Sequence, residues 1–120
     1  MTKPAKLKFT IYQGATFRKR LLWRAPDSLK TPIDLTGCTA RMQVRADVEA
    51  PVALLSLTTE NGGITLGGAA GTVDLFVSDM DTAAATWDGG VWDLEIVHPG
   101  GEVKRLAEGS ISVSPEVTRD

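Results

Sequence analysis

One cysteine, one histidine and few aromatic residues are spread over 120 positions, and each scarcity closes off a class of function. A lone thiol, Cys38, excludes an internal disulfide, and its residue type alone cannot assemble a zinc site. The lack of a disulfide framework fits folding in a reducing cytoplasm. The single histidine, His98, stands directly before Pro99-Gly100-Gly101, where a hairpin mouth leads one to expect an exposed polar side chain. With no G-x-S-x-G phrase, a Ser-His-Asp site would rest on that residue alone. A metal held by His98 and Cys38 would lack its remaining ligands. No apolar run approaches the roughly 18 residues that cross a membrane. The start, MTKPAKLKFTIY, is basic but has neither the apolar stretch nor the cleavage site of a signal peptide, so none is expected.

What is present is ordinary globular material, 42% apolar and 23% charged, enough for one domain with one core. Aromatics are only 6%, so Trp23, Trp87, Trp92 and the few phenylalanines carry much of the core's bulk. The domain is expected to span 1–120, with a short basic arm over about 1–6 and a polar tail over about 116–120.

Charge is unevenly placed. Net charge is −2, yet residues 1–60 hold ten Lys+Arg against five Asp+Glu, and residues 61–120 hold three against ten. Lys3, Lys6, Lys8, Arg18, Lys19, Arg20 and Arg24 fall in the first 26 residues, which contain no acid. Such residues serve as solvated strand faces, or as the basic side of a dipolar subunit that meets an acidic neighbour. The overall acidity argues against a dedicated nucleic-acid binder.

Periodicity of two runs through the chain. Trp92, Leu94 and Ile96 alternate with Asp93 and Glu95, the pattern of a strand with one buried face. Pro99-Gly100-Gly101 then turns the chain, a run from Glu102 to Glu108 returns, and Gly109 is read as the start of a third run, Ser110–Ser114. Earlier strands are expected at about 6–12, at 17–24 (an edge strand, because Lys19 interrupts its apolar face) and at 39–45 with Ala40, Met42 and Val44 inward. Further strands are expected at 52–58, 64–66 and 72–78. Ile33 and Leu35 are placed under the core. Asn61-Gly62-Gly63 signals a hairpin, and Ser78 with Asp79 and Asp81 signals one capped helical turn. The sum is about eight or nine short strands: an all-β, antiparallel, immunoglobulin-like sandwich, with a small closed barrel as the alternative.

Candidate chemistry is thin. Asp79, Asp81 and Asp88 lack the spacing of a calcium loop. Asp93 and Glu95 lie two apart on one strand face, not across a cleft. The glycine-rich run from Gly62 to Gly71 has no Gly-Lys-Ser/Thr and no following helix. No catalytic, cofactor or metal residue is nominated, and an enzyme is not expected.

The order of phrases is more informative. FTIYQGATFRKRLLWR, then TPIDLTGCTARMQVR, then LLSLTTENGGITLGGAAGTVDLFVSDMDTAAATW, then GVWDLEIVHPGGEVKRLAEGSISVSPEVTR, resembles the immunoglobulin-like domains of tailed-bacteriophage tail, baseplate and neck proteins. It is similar also to the N-terminal domain of upper-baseplate proteins. The likeness rests on Pro32–Gly37, Arg41–Arg45, Trp92–Glu95 and Glu108-Gly109. It implies a non-enzymatic virion protein without cofactors, an adaptor docking on other virion structural proteins, as a homo-oligomer or ring, with neither nucleic acid nor membrane as partner. Lys3, Lys6, Lys8, Arg18 and Arg20 are the expected protein contacts. The alternative is a host-surface or carbohydrate-binding module, with Trp87 as the exposed aromatic on which a sugar would stack.

Overall fold

The computed structural model describes residues 3–119. Eight strands fold into two sheets: β1 (Ala5–Tyr12), β2 (Phe17–Leu22), β3 (Thr39–Arg45), β4 (Leu55–Thr58), β5 (Ile64–Leu66), β6 (Thr72–Val77), β7 (Gly89–Val97) and β8 (Val103–Ser114). A five-stranded sheet runs β1-β8-β7-β3-β4, and a three-stranded sheet runs β2-β6-β5. Helix α1 (Asp79–Ala83) carries the chain from one sheet to the other.

The alternation read from the sequence decides what is buried. Ala40, Met42 and Val44 of β3, with Trp92, Leu94 and Ile96 of β7, form the inner face of the larger sheet, all at most 3% exposed. They meet Phe17, Val73, Leu75, Val77 and Ile64 from the smaller sheet, and Leu35 is tucked beneath as expected. Phe9 joins the layers, its ring stacked on Trp92 at 4.7 Å and edge-on to Phe17 at 5.8 Å.

Several expectations need correction. The run 102–108 and the run 110–114 are one strand, β8, continuous through Gly109. Gly109 does not begin a separate strand. A β-carbon there would lie 1.7 Å from the Leu7 carbonyl oxygen, so the residue permits β1 to lie close against β8. That pairing is parallel, Ala5 with Ala107 through Tyr12 with Ser114, whereas every other strand pair is antiparallel. β1 begins at Ala5, so Ala5 and Lys6 belong to the sheet rather than to a free arm; Met1 and Thr2 lie outside the described residues. β4 begins at Leu55, leaving Val52 70% exposed in the preceding loop. β2 ends at Leu22, and it does lie at a sheet edge. The tail is tied in part, since the Glu116 amide donates to the Gln13 side-chain oxygen at 3.0 Å.

Helix α1 starts as its sequence suggests, with the Ser78 hydroxyl accepting from the Asp81 amide. It is pinned by Thr82, the one fully buried polar side chain among the described residues. The Thr82 hydroxyl accepts from the Gly14 amide at 3.1 Å and lies 2.9 Å from the Ala15 carbonyl. Thr82→Val leaves both groups without that partner, an expected loss of about 1–3 kcal/mol. Chemical denaturation checks it, and an unchanged midpoint would show that solvent replaces the hydroxyl.

Candidate functional site

β1 and β2 are joined by a tight turn and lie at edges of different sheets on the same flank, linked by the Phe9–Phe17 contact. The cations singled out in the sequence follow from strand parity. Leu7, Phe9 and Ile11 face inward, so Lys6 and Lys8 leave on the outer face of the five-stranded sheet. Arg18 and Arg20 leave on the outer face of the three-stranded sheet. Lys19, on the inward parity, emerges at the seam with its ammonium 5.9 Å from the Phe9 ring centre. The basic residues therefore wrap one flank instead of forming a single flat patch.

Their engagement differs. Arg20 grips Asp74 with two hydrogen bonds, 2.7 and 3.0 Å, and this contact holds the Asp74 carboxyl below its usual range. Lys6 pairs with Glu108 at 3.4 Å. Arg18 lies over the Phe76 ring at 4.7 Å. Lys8 and Lys3 make no ion pair among the described residues. Lys3 borders a shallow apolar groove of about 370 Å³ with Pro4, Trp23, Val103 and Leu106.

The outer face of the larger sheet carries a depression of about 590 Å³ containing Lys6, Arg45, Asp93, Arg105 and Glu108. Its charges are largely spent on one another: Arg105 contacts Asp93 at 3.6 Å and Glu108 at 3.1 Å. Burial pushes the Asp93 carboxyl upward despite the nearby Arg105. A carboxyl raised in the folded state destabilises the fold above both its titration points, and that cost vanishes below the unfolded value near about 3.9. Asp93→Asn is thus expected to raise the melting temperature at pH 7, the difference closing below about pH 4. A lower melting temperature at pH 7 would mean that attraction to Arg105 outweighs burial.

His98 is not the exposed residue expected at a hairpin mouth. Its Nδ1 lies 3.5 Å from the Cys38 sulfur, its ring is 6.1 Å from that of Trp23, and its Nε2 is buried without a partner among the described residues. The two residues are 60 positions apart in sequence, so only the fold could reveal the contact. Burial, with Asp34 nearby, pushes the Cys38 thiol up, opposite to what a nucleophile or metal ligand requires. No group of three or more His, Cys, Asp or Glu able to hold a metal occurs among the described residues.

Trp87 is half-buried and packs against the core. The strongly exposed aromatic is Tyr12, at 63%. Its parity with Lys6, Lys8 and Thr10 on β1 was the signal that places it outward.

No protein-family model matches the chain, and no curated protein matches it. Among solved structures, that of a chicken TCR aligns with a TM-score of 0.57 and 9% identity, over 98% of this chain and 57% of that one. The chain spans little more than half the length of the chain it matches. At such identity the likeness shows the fold alone.

Proposed function

We propose that this chain, which has an immunoglobulin-like β-sandwich fold, is a non-enzymatic structural protein of a tailed-bacteriophage virion, an adaptor of the tail, baseplate or neck that docks on other virion proteins. The observation that carries this reading is the β1–β2 flank. It presents two free strand edges and five cations, Lys6, Lys8, Arg18, Lys19 and Arg20, within a segment that contains no acid. Free edges offer main-chain hydrogen bonds for strand addition, and the cations select an acidic partner and set its orientation. The resemblance of the phrase order to phage immunoglobulin-like domains is what suggests the virion context. The raised Cys38 thiol makes that residue a poor nucleophile. The half-buried Trp87 lends no support to a sugar-stacking module.

The structure refines which cations test the idea. Reversing Arg20 would set a carboxylate against Asp74 and confound binding with folding, while Lys3 and Lys8 have no such partner among the described residues. Combined Lys3→Glu and Lys8→Glu substitutions are expected to cut incorporation into particles severalfold while shifting the melting temperature little, since unpaired surface charges contribute within about 0.5 kcal/mol. Incorporation at the wild-type level would count against the flank as the docking surface.

A further inference from the structure

Four strands lie at sheet edges, β1 and β4 in the larger sheet and β2 and β5 in the smaller. An edge exposes unpaired amides and carbonyls, and folded proteins guard it by keeping it short or by turning a charge inward. β4 has four residues and β5 three. β2 carries Lys19 on its inward parity. β1 has neither device. It runs for eight residues, pairs with β8 without a break in register, and turns Leu7, Phe9 and Ile11 inward.

The open groups of β1 follow from its bonds to β8. The Gln13 amide donates to the Ser114 carbonyl at 3.0 Å, and the Leu7 carbonyl points at Gly109. Successive residues of a strand direct their main-chain groups to opposite sides, so the odd-numbered residues of β1 bond to β8. The amides and carbonyls of Lys6, Lys8 and Thr10 therefore face away from the sheet, with no other main-chain partner among the described residues. The Tyr12 carbonyl, outward by the same parity, accepts from the Ala15 amide at 2.9 Å and closes that end of the edge.

Two cations without an ion pair among the described residues flank this edge. Lys8 stands on the outer face in register with Ser110, whereas Lys6 is engaged by Glu108. Lys19 lies at the inner seam, its ammonium 5.9 Å from the Phe9 ring centre. Lys8 and Phe9 are consecutive, so a strand laid along β1 would meet Lys8 with one residue and Lys19 with the next. Both cations are matched when those two residues are acids. No edge strand of this chain supplies them. β1, β2, β4 and β5 contain no Asp or Glu. The strand acids Asp74, Asp93, Glu95 and Glu108 lie on β6, β7 and β8, each of which has a neighbour on both sides.

We propose that the β1 edge takes up an extended segment of a different protein as an added strand. The segment bonds to the main chain of Lys6, Lys8 and Thr10 and carries two consecutive acidic residues, one for Lys8 and one for Lys19. The contact rests on the docking role proposed above and places strand addition on β1 alone. A ring of copies then follows the symmetry of the partner rather than edge-to-edge pairing between copies.

The test follows the amide signals of the full chain by NMR during titration with a blocked peptide of alternating threonine and valine around a central Asp-Glu pair. Titration extends to about 5 mM, the range in which contacts of this small size bind. Saturable changes and slowed exchange are expected at Lys6, Lys8 and Thr10, with the β2 amides unmoved. The same peptide with Asn-Gln at its centre is expected to bind about three- to tenfold more weakly, the difference shrinking at high salt. Thr10→Pro removes one outward amide and spares the ladder to β8, a change that edge strands tolerate; it is expected to abolish binding at a retained melting temperature. Lys8→Glu with Lys19→Glu, both at exposed positions, is expected to reverse the preference toward a Lys-Lys peptide, a gain that loss of the fold could not produce. Absence of binding to the wild type, equal binding of the Asp-Glu and Asn-Gln peptides, changes on β2 instead of β1, or full binding by folded Thr10→Pro overturns the inference. Concentration-dependent changes at Lys6, Lys8 and Thr10 without peptide also overturn it, because the occupant would then be a second copy. Particle incorporation separates the two readings. If folded Thr10→Pro is incorporated normally while Lys3→Glu with Lys8→Glu is not, strand addition falls and the flank remains the docking surface.

Discussion

Gly109→Ala is expected to lower stability by about 3 kcal/mol, equivalent to a fall in melting temperature of about 10 °C or more for a domain of this size. The added β-carbon would sit 1.7 Å from the Leu7 carbonyl oxygen and 2.8 Å from its carbonyl carbon. Both are backbone atoms of the paired strand, so no side-chain rotation relieves the clash and β1 must move. β8 is the one strand paired with β1 among the described residues, along eight positions, and the departure of β1 uncovers Phe9 and Ile11. Hydrogen exchange distinguishes this from general loosening: amides of Ala5–Tyr12 lose protection while those of β3 and β7 keep theirs. An unchanged melting temperature, or uniform loss across both sheets, would contradict the role given to Gly109.

Trp92→Ala is expected to be costlier, about 3–5 kcal/mol. Its indole is 3% exposed, lies against Phe9, and donates to the Ser110 carbonyl at 3.0 Å. Against a total stability of about 5–15 kcal/mol, the variant is expected to be largely unfolded near physiological temperature. Trp92→Phe keeps a stacked ring and loses chiefly the hydrogen bond and some volume, so it is expected to fold with a cost of about 1–3 kcal/mol. Denaturation of the three proteins ranks them. An alanine variant as stable as the phenylalanine variant would show that the aromatic stack is not the centre of the core.

Where the chain announces its structure, it does so locally. Thr39–Arg45 and Thr72–Val77 alternate without interruption, and their observed faces match residue by residue. Ser78 and the following acids mark the helix start because capping is decided within four residues. What escaped was non-local. Parallel pairing of β1 with β8 joins residues about a hundred positions apart, and no local pattern encodes it. Gly109 reads as the start of a separate run because a glycine that breaks a strand and a glycine needed for close approach look alike in sequence. Gly89 and Gly90 are strand residues for the second reason, their β-carbon positions falling 2.6 and 2.3 Å from neighbouring carbonyl oxygens.

The same division holds for the candidate surfaces. The concentration of cations before residue 27 was plain, whereas their distribution around two faces and a seam depends on which sheet each strand joins. The pairing of Arg20 with Asp74 and the Cys38–His98 contact both join distant segments. Only Tyr12 was within reach of the sequence pattern, through its parity on β1.

The most direct test of the proposed virion role is quantitative mass spectrometry of purified particles, combined with lysine cross-linking. A fixed copy number per particle, with links from Lys3 or Lys8 to acidic segments of another virion protein, is the predicted result. Absence of the chain from particles that are otherwise complete would contradict it.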